Sequence, residues 1–249
     1  GGTMFSFSVS GRAATASFRV PETHTFHQTL PLPPKTTIIG MVGAALGLPL
    51  PEAHEFATEH GLLVGVYGSH KGLMRDLWNY RKVTGKEKKY TPEDIQNRRH
   101  YSILIREYLT DCDFTFFFGA ESAEPLEMVR GAMKAPVFTL TAGNSDDLLK
   151  ITAISPIARV NAEPLTRFDH TILPGDFSAE CTPAIDFRQL PVTQTVDTPQ
   201  VFLLPTAFTF AGEQRTVTER RTFTFVGSPV NLKTPVTGYV VDGKQVVLL

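Results

Sequence analysis

The 249-residue sequence predicts an α+β fold: a βαββαβ domain that carries a basic insertion, followed by a smaller β-rich part. Three observations lead there. Through about residue 155, alternating and helix-period apolar patterns succeed one another as strand, helix, strand, strand, helix, strand. At about residues 70–100 a cationic segment holding the only tryptophan breaks that pattern. Beyond about residue 157, proline, threonine and short alternating runs take over. The expected division is therefore 4–155 and 156–249.

The elements justify themselves in order. Phe5, Phe7 and Val9 alternate with Ser6, Ser8 and Ser10, the pattern of a half-buried first strand. Gly1-Gly2-Thr3 ahead of Met4 reads as a cloning scar, with Met4 the expected native start. Pro21, Pro31, Pro33 and Pro34 then hold an extended loop, because proline fits neither a helix interior nor a central strand. A helix over 37–46 follows, with Ile38, Met41, Val42, Ala45 and Leu46 on one stripe. Thr36 or Thr37 is its expected N-cap and Gly47 its stop. Gly40, Gly43 and Ala44 make this helix small-sided. Each interior glycine costs about 1 kcal/mol against alanine, so close packing on neighbouring backbone is the expected compensation.

Residues 52–60 read as a short second helix closed by Gly61, and 62–67 as a strand. Residues 102–109 and 114–118 read as a hairpin joined at Thr110-Asp111-Cys112-Asp113. A helix over 125–134 sets Leu126, Val129 and Met133 on one face, and 137–141 and 148–154 read as strands. The result is the ferredoxin-like order, which also underlies the RNA-recognition fold. In the second part 202–210, 221–226, 236–241 and 245–249 read as strands, with Asp242-Gly243 as a hairpin turn. Residues 161–198 read as largely loop.

Composition narrows the function classes. Apolar content of 42% and charged content of 20% are globular values. Cys112 and Cys181 offer neither metal-ligand spacing nor a disulfide framework, which fits a reducing, cytoplasmic setting. No run approaches 18 apolar residues and no signal peptide opens the chain, so no membrane partner is expected. The net charge is only −1, but it is unevenly spread. From Lys71 to Arg106 ten cations face four anions, an excess of +6, leaving −7 on the rest.

The basic insertion mixes Trp78 and Tyr80 with Arg81, Lys82, Arg98 and Arg99. Cations for phosphates beside aromatics for bases is the chemistry of single-stranded RNA binding. A short helix is expected to start at Thr91-Pro92 within it. Lys35, Thr36 and Thr37, at a helix start fed by a rigid proline loop, form a second phosphate-binding candidate. His24, His27 and His100 are the candidates for general acid–base work on RNA. No phosphate-binding glycine loop and no nucleophile elbow is present. Asp111, Asp113, Asp146, Asp147, Asp176 and Asp186 sit where turns want aspartate, so no metal and no cofactor is expected.

The series Ser10-Gly11, Phe18-Arg19-x-Pro21 and 29–47 (TLPLPPKTTIIGMVGAALG) resembles the N-terminal signature of the CRISPR-associated protein five family. That family belongs to the repeat-associated RAMP proteins and is a subunit of type I Cascade complexes. The resemblance implies a non-catalytic subunit in antiviral defence that caps the 5′ handle of guide RNA (crRNA). Phe18, Arg19, Lys35, Thr36 and Thr37 would hold the handle, and the insertion would clamp it as a thumb. It also implies docking to the backbone subunit and to the large subunit, with target DNA met only indirectly. Gly143-Asn144-Ser145 loosely resembles a family loop where relatives often carry Gly-Arg-Ser, and Asn144 removes that cation. Two other readings stand beside this one: a metal-independent endoribonuclease that processes precursor crRNA, and an interaction module with no RNA role.

Overall fold

A computed structural model of the chain describes residues 2–21, 26–83, 99–186, 188–189 and 196–249. The first strand, β1 (Met4–Ala16), leads through β2 (Phe18–Arg19), β3 (Phe26–His27) and β4 (Thr29–Leu30) into α1 (Lys35–Leu46) and α2 (Leu50–Glu59). Then come β5 (Leu63–Ser69), β6 (Gly72–Val83), β7 (Arg99–Ala120) and α3 (Ala123–Lys134), and β8 (Lys150–Ile154). The second part supplies β9 (Ala158–Val160), β10 (Glu163–Phe168), β11 (Thr171–Pro174) and β12 (Cys181–Pro183). It ends with β13 (Gln200–Ala211), β14 (Gln214–Val226), β15 (Val230–Val241) and β16 (Lys244–Val246). The fold is α+β, as expected, and dominated by strands.

The main sheet runs β13-β14-β11-β5-β7-β1-β8, and a smaller sheet runs β10-β15-β12 with β16 on β15. The core sits between α1, α2, α3 and the main sheet. Phe7 and Phe118 stack at 5.2 Å and are almost fully buried. A second cluster around Phe168, Leu173 and Val230 fills the space between the two sheets. The expected loop at 161–198 instead contains β10, β11 and β12, with β11 joined to β5 at Thr171 and Tyr67. These strands are short, and their apolar faces find partners far along the chain, so local pattern does not reveal them.

A larger difference lies at Thr110–Asp113. No hairpin turns there. One 22-residue strand, β7, runs straight through, with Asp111 at φ 49. It is flanked by β1 from Phe5↔Ala120 to Ala16↔Leu109, and by β5 from Leu63↔Gly119 to Ser69↔Asp113. Pairing on both edges outweighs the turn preference of two aspartates, and the pairing skips Asp111 opposite β1 as a local irregularity. Beyond Asp113 the partner of β7 changes from β5 to β6, from Gly72↔Thr110 to Val83↔Arg99. β6 and β7 thus extend from the sheet as a ribbon, with β3 parallel to β7 at Phe26↔Ile105 and His27↔Arg106 along its base. The expected strand at 137–141 is also missing. Val137 and Phe138 donate backbone bonds to Ala45 and Ala44 at the end of α1, and only Thr141 bridges to Leu148.

α1 starts two residues earlier than its stripe suggests. Pro34 is the N-cap, with extended φ/ψ, and no side chain caps the helix. Thr36 and Thr37 are inside the first turn, so neither is the cap. Gly47 does stop the helix in the left-handed conformation at φ 76. The small-sided face is used unequally. A Cβ on Gly43 would lie 2.6 Å from the Ala53 Cβ and 3.1 Å from the Leu48 carbonyl, whereas on Gly40 nothing comes nearer than 3.9 Å. Gly43 is therefore what lets α2 fold back on α1. Thermal melts of Gly40→Ala and Gly43→Ala should diverge. The first is expected to gain up to about 1 kcal/mol of helix propensity, and the second to lose stability through the clash.

Candidate nucleic-acid interface

A cleft of about 470 Å³ opens where the β1–β2 junction, the start of α1 and the 143–147 loop meet the β13–β14 hairpin. Arg19, His27, Thr36 and Thr37, four of the residues singled out above, line it. Opposite stand Leu204, Pro205, Phe208 and Arg215 from the second part of the chain. Phe18 also lines the cleft, but its ring is only 3% exposed and packs edge-on against Phe114 at 5.7 Å. It shapes the cleft from the core and has no free face for a base.

Three buried polar anchors hold the cleft in shape. Asp147, 2% exposed, accepts from Thr15 Oγ1 at 2.5 Å, from Arg106 Nη2 at 3.2 Å and from Asn144 through both backbone N and Nδ2. Asn144, itself exposed, thereby braces the loop. Gly143, at φ 117, lies so close to Ser17 that a Cβ would sit 1.9 Å from the Ser17 carbonyl oxygen. Ser17 returns a backbone bond to Ala142 at 3.0 Å and a hydroxyl bond to the Glu107 carbonyl at 2.9 Å. Glu107, itself 4% exposed, accepts from the Thr29 backbone and from Arg75 Nε, both at 3.2 Å. One carboxylate therefore ties the proline loop to the ribbon.

The opposite wall carries candidate residues that the sequence reading missed. The Arg215 guanidinium lies 4.6 Å from the Phe208 ring centroid, and His54 meets the rings of Phe208 and Phe210 at 5.2 and 5.9 Å. Burial, then the charges of Arg215 and Lys35, hold the His54 imidazole below its ordinary pKa, so it stays neutral near pH 7. A cation two positions beyond an alternating F-x-F run and a turn was the available signal. It points to the cleft only once the hairpin has paired and reached back to α2.

Lys35 parts company with its neighbours. Thr36 and Thr37 face the cleft, while Lys35 lies in a separate groove with Arg220 and Arg221. Of the insertion candidates, Trp78, Tyr80, Arg81 and Lys82 fall on β6, and Arg99 and His100 on β7. The register sets Arg81 opposite Tyr101 and Lys82 opposite His100, toward the far end of the ribbon. The expected helix at 91–98, with Arg98, lies outside the described residues, as does His24. His27, His100 and the described part of the insertion are not gathered into one acid–base site.

Elsewhere the fold assembles a titratable cluster that the sequence reading did not anticipate. Asp169 Oδ2 accepts from Tyr67 Oη at 2.6 Å and lies 2.7 Å from His170 Nδ1. The His170 contact, followed by the Tyr67 bond, holds the Asp169 carboxyl below its usual range against the opposing effect of burial. Burial and the same hydrogen bond push the Tyr67 phenol up to about 12, so it stays protonated. Lys244 Nζ lies 5.6 Å from the Tyr67 ring centroid, and His70 lines the neighbouring cleft with His170. Among the described residues no group of three or more His, Cys, Asp or Glu side chains is placed to hold a metal ion.

The profile of a family described as CRISPR-associated protein (Cas_Cas5) matches residues 9–190, well over half of the chain. The chain belongs to the Cas5 family. The match spans β1, the proline loop, α1, the ribbon and the 143–147 loop, so every element of the first wall of the cleft is Cas5 sequence. The second wall, on β13 and β14, lies beyond it. No curated relative matches by sequence. Among solved structures, this Cas5 chain is similar to one of a CRISPR RNA-guided surveillance complex, with 17% identity over 93% of this chain and 91% of that one, at TM-score 0.50. A CRISPR protein from Archaeoglobus fulgidus is similar at 11% identity over 98% and 100%, at TM-score 0.53. At such identities the likeness is one of fold.

Proposed function

We propose that this Cas5 chain is a non-catalytic subunit of a type I CRISPR effector complex, where it caps the 5′ handle of crRNA. The observation that carries this is the convergence of Arg19, Thr36, Thr37 and Arg215 on one cleft between rigid walls. Cations and hydroxyls at a helix start suit backbone phosphates, and the face of Phe208 beside Arg215 suits a base. The order β8-β1-β7-β5 around the first part supports the ferredoxin-like reading of residues 4–155. The β6–β7 ribbon is the thumb in this reading: it carries Trp78, Tyr80, Arg81, Lys82 and Arg99 away from the sheet toward an RNA strand. Family membership supports a place in a CRISPR effector complex; backbone and large subunits beside it, in the cytoplasm, complete the proposal.

Labelled repeat RNA, incubated in chelator with the purified chain beside a scrambled RNA, tests this. An intact, retarded repeat band with weaker retention of the scrambled strand is the expected result. Arg19→Glu and Arg215→Glu should each weaken binding by about 1–3 kcal/mol, a factor of about 5 to 150. No shift at low salt, where phosphate contacts are strongest, would sink the proposal.

A second reading, a metal-independent endoribonuclease, is favoured by one observation: Tyr67 and His170 meet at Asp169, with Lys244 beside the Tyr67 ring and His70 nearby. Against it, the phenol is held protonated and spends its proton on Asp169. A shortened RNA in the same gel, abolished by His170→Ala, would decide for cleavage.

A further inference from the structure

On the far side of the α1 start from the cleft, a groove of about 710 Å³ is bounded by Lys35, by Gly175 at the end of β11, and by β14 residues 219–223. Three cations line it: Lys35, Arg220 and Arg221. One carboxylate side chain, Glu219, stands among them, accepting from Arg221 Nε at 2.7 Å and from Thr206 Oγ1 at 2.8 Å. That pair is exposed on both sides (70% and 45%), so it stabilises the fold little. Its effect is to aim Arg221. With Nε occupied, the two terminal amino groups of the guanidinium fork remain for a bidentate acceptor.

We propose that this groove is a second nucleic-acid site, in which Lys35, Arg220 and Arg221 grip a phosphodiester backbone. The fold gathers three cations here around one carboxylate. Burial and then Arg221 keep the half-buried Lys35 ammonium below its ordinary pKa, with Glu219 opposing them only in part, and a further bound anion relieves what remains. The groove lies beside the cleft described above, across the start of α1 and β13. Pro34, Leu204 and Pro205, which line the cleft, also line a small pocket with Lys35, which lines the groove. A polymer that leaves the cleft past Pro34 and Pro205 reaches the groove, whereas a discrete anion does not need both. The choice of a polymer rests on the handle reading; the charge of the groove does not. Neither Arg220 nor Arg221 falls within the residues that match the family.

The test is fluorescence anisotropy of the full chain with single-stranded RNA, single-stranded DNA and duplex DNA across a salt series. The variant Lys35→Gln/Arg220→Gln/Arg221→Gln should lose about tenfold or more in RNA affinity at low salt, and its log–log salt slope should shrink by about 2, at about 0.7 per lost phosphate contact. Glu219→Gln should bind a few-fold tighter, a gain that misfolding cannot mimic. Equal losses on RNA and single-stranded DNA assign the groove to any passing strand. A loss on DNA alone assigns it to DNA rather than to the guide. An unchanged slope on all three ligands overturns the groove. If Arg19→Glu weakens RNA binding while the triple variant does not, the cleft stands and the groove falls; the reverse keeps the groove and removes the cleft. No binding by the unaltered chain to any ligand overturns both.

Discussion

Gly143→Val should be the most damaging single substitution near the cleft, costing about 4 kcal/mol or more and abolishing the RNA binding proposed above. Two independent penalties meet at this residue. Its φ of 117 is a backbone conformation that L side chains rarely adopt, and a Cβ would lie 1.9 Å from the Ser17 carbonyl oxygen and 2.8 Å from the carbonyl carbon. Neither neighbour can yield. Ser17 is fixed by its bonds to Ala142 and to the Glu107 carbonyl, and it begins the turn that presents Arg19. The loop must therefore lift away, and with it one wall of the cleft. Gly212 provides the control. It also has positive φ, at 62, but nothing lies within 4 Å of a Cβ there, so Gly212→Val should lose only the backbone strain, about 1–2 kcal/mol. Chemical denaturation of the two variants separates clash from strain. Equal midpoints would remove the packing argument.

Asp147→Ala should cost about 3–5 kcal/mol, because it breaks a buried ion pair by removing one partner. Arg106 and Asp147 meet at 3.2 Å with side chains 12% and 3% exposed, and the same carboxylate accepts from Thr15 and twice from Asn144. Arg106 sits on β7 and Thr15 on β1, so this one group fastens the 143–147 loop to two central strands. Asp147→Asn keeps the size and one acceptor and removes the charge. It should fall between wild type and Asp147→Ala, apportioning the loss between ion pair and hydrogen bonds. A wild-type denaturation midpoint for Asp147→Ala would show that the anchor is dispensable. RNA affinity measured on whatever fraction of Asp147→Asn folds then reports the loop's part in the cleft, separately from global stability.

How far the sequence reaches can be seen from particular residues. Gly47 stops α1, Asp242 and Gly243 turn a two-residue hairpin at φ 50 and 76, and Leu126, Val129 and Met133 are the buried face of α3. Each of these is a local event, decided within one or two turns of chain. Thr110–Asp113 was misleading for the same reason. Its composition is that of a turn, and only pairing with strands remote in sequence carries β7 through it, past the irregularity at Asp111. The family signature at 18–47 was legible because it is a fixed order of prolines, threonines and glycines. The cleft itself was half legible: Arg19, Thr36 and Thr37 were readable from that signature, Arg215 and Phe208 were not.

By itself the sequence determined the α+β class, the existence of the three helices among the described residues, the hairpin at 242–243 and the family. These follow from periodicity, glycine and proline geometry and ordered motifs, all of which act over short stretches of chain. Tertiary structure alone decided that β7 is one strand, that Phe18 belongs to the core, and that Lys35 turns away from Thr36 and Thr37 into another groove. It alone brought the β13–β14 hairpin across to complete the cleft. Strand pairing and burial are settled between segments far apart in the chain, and free energy gained on both edges of a strand or both sides of a ring overrides what its neighbours in sequence prefer.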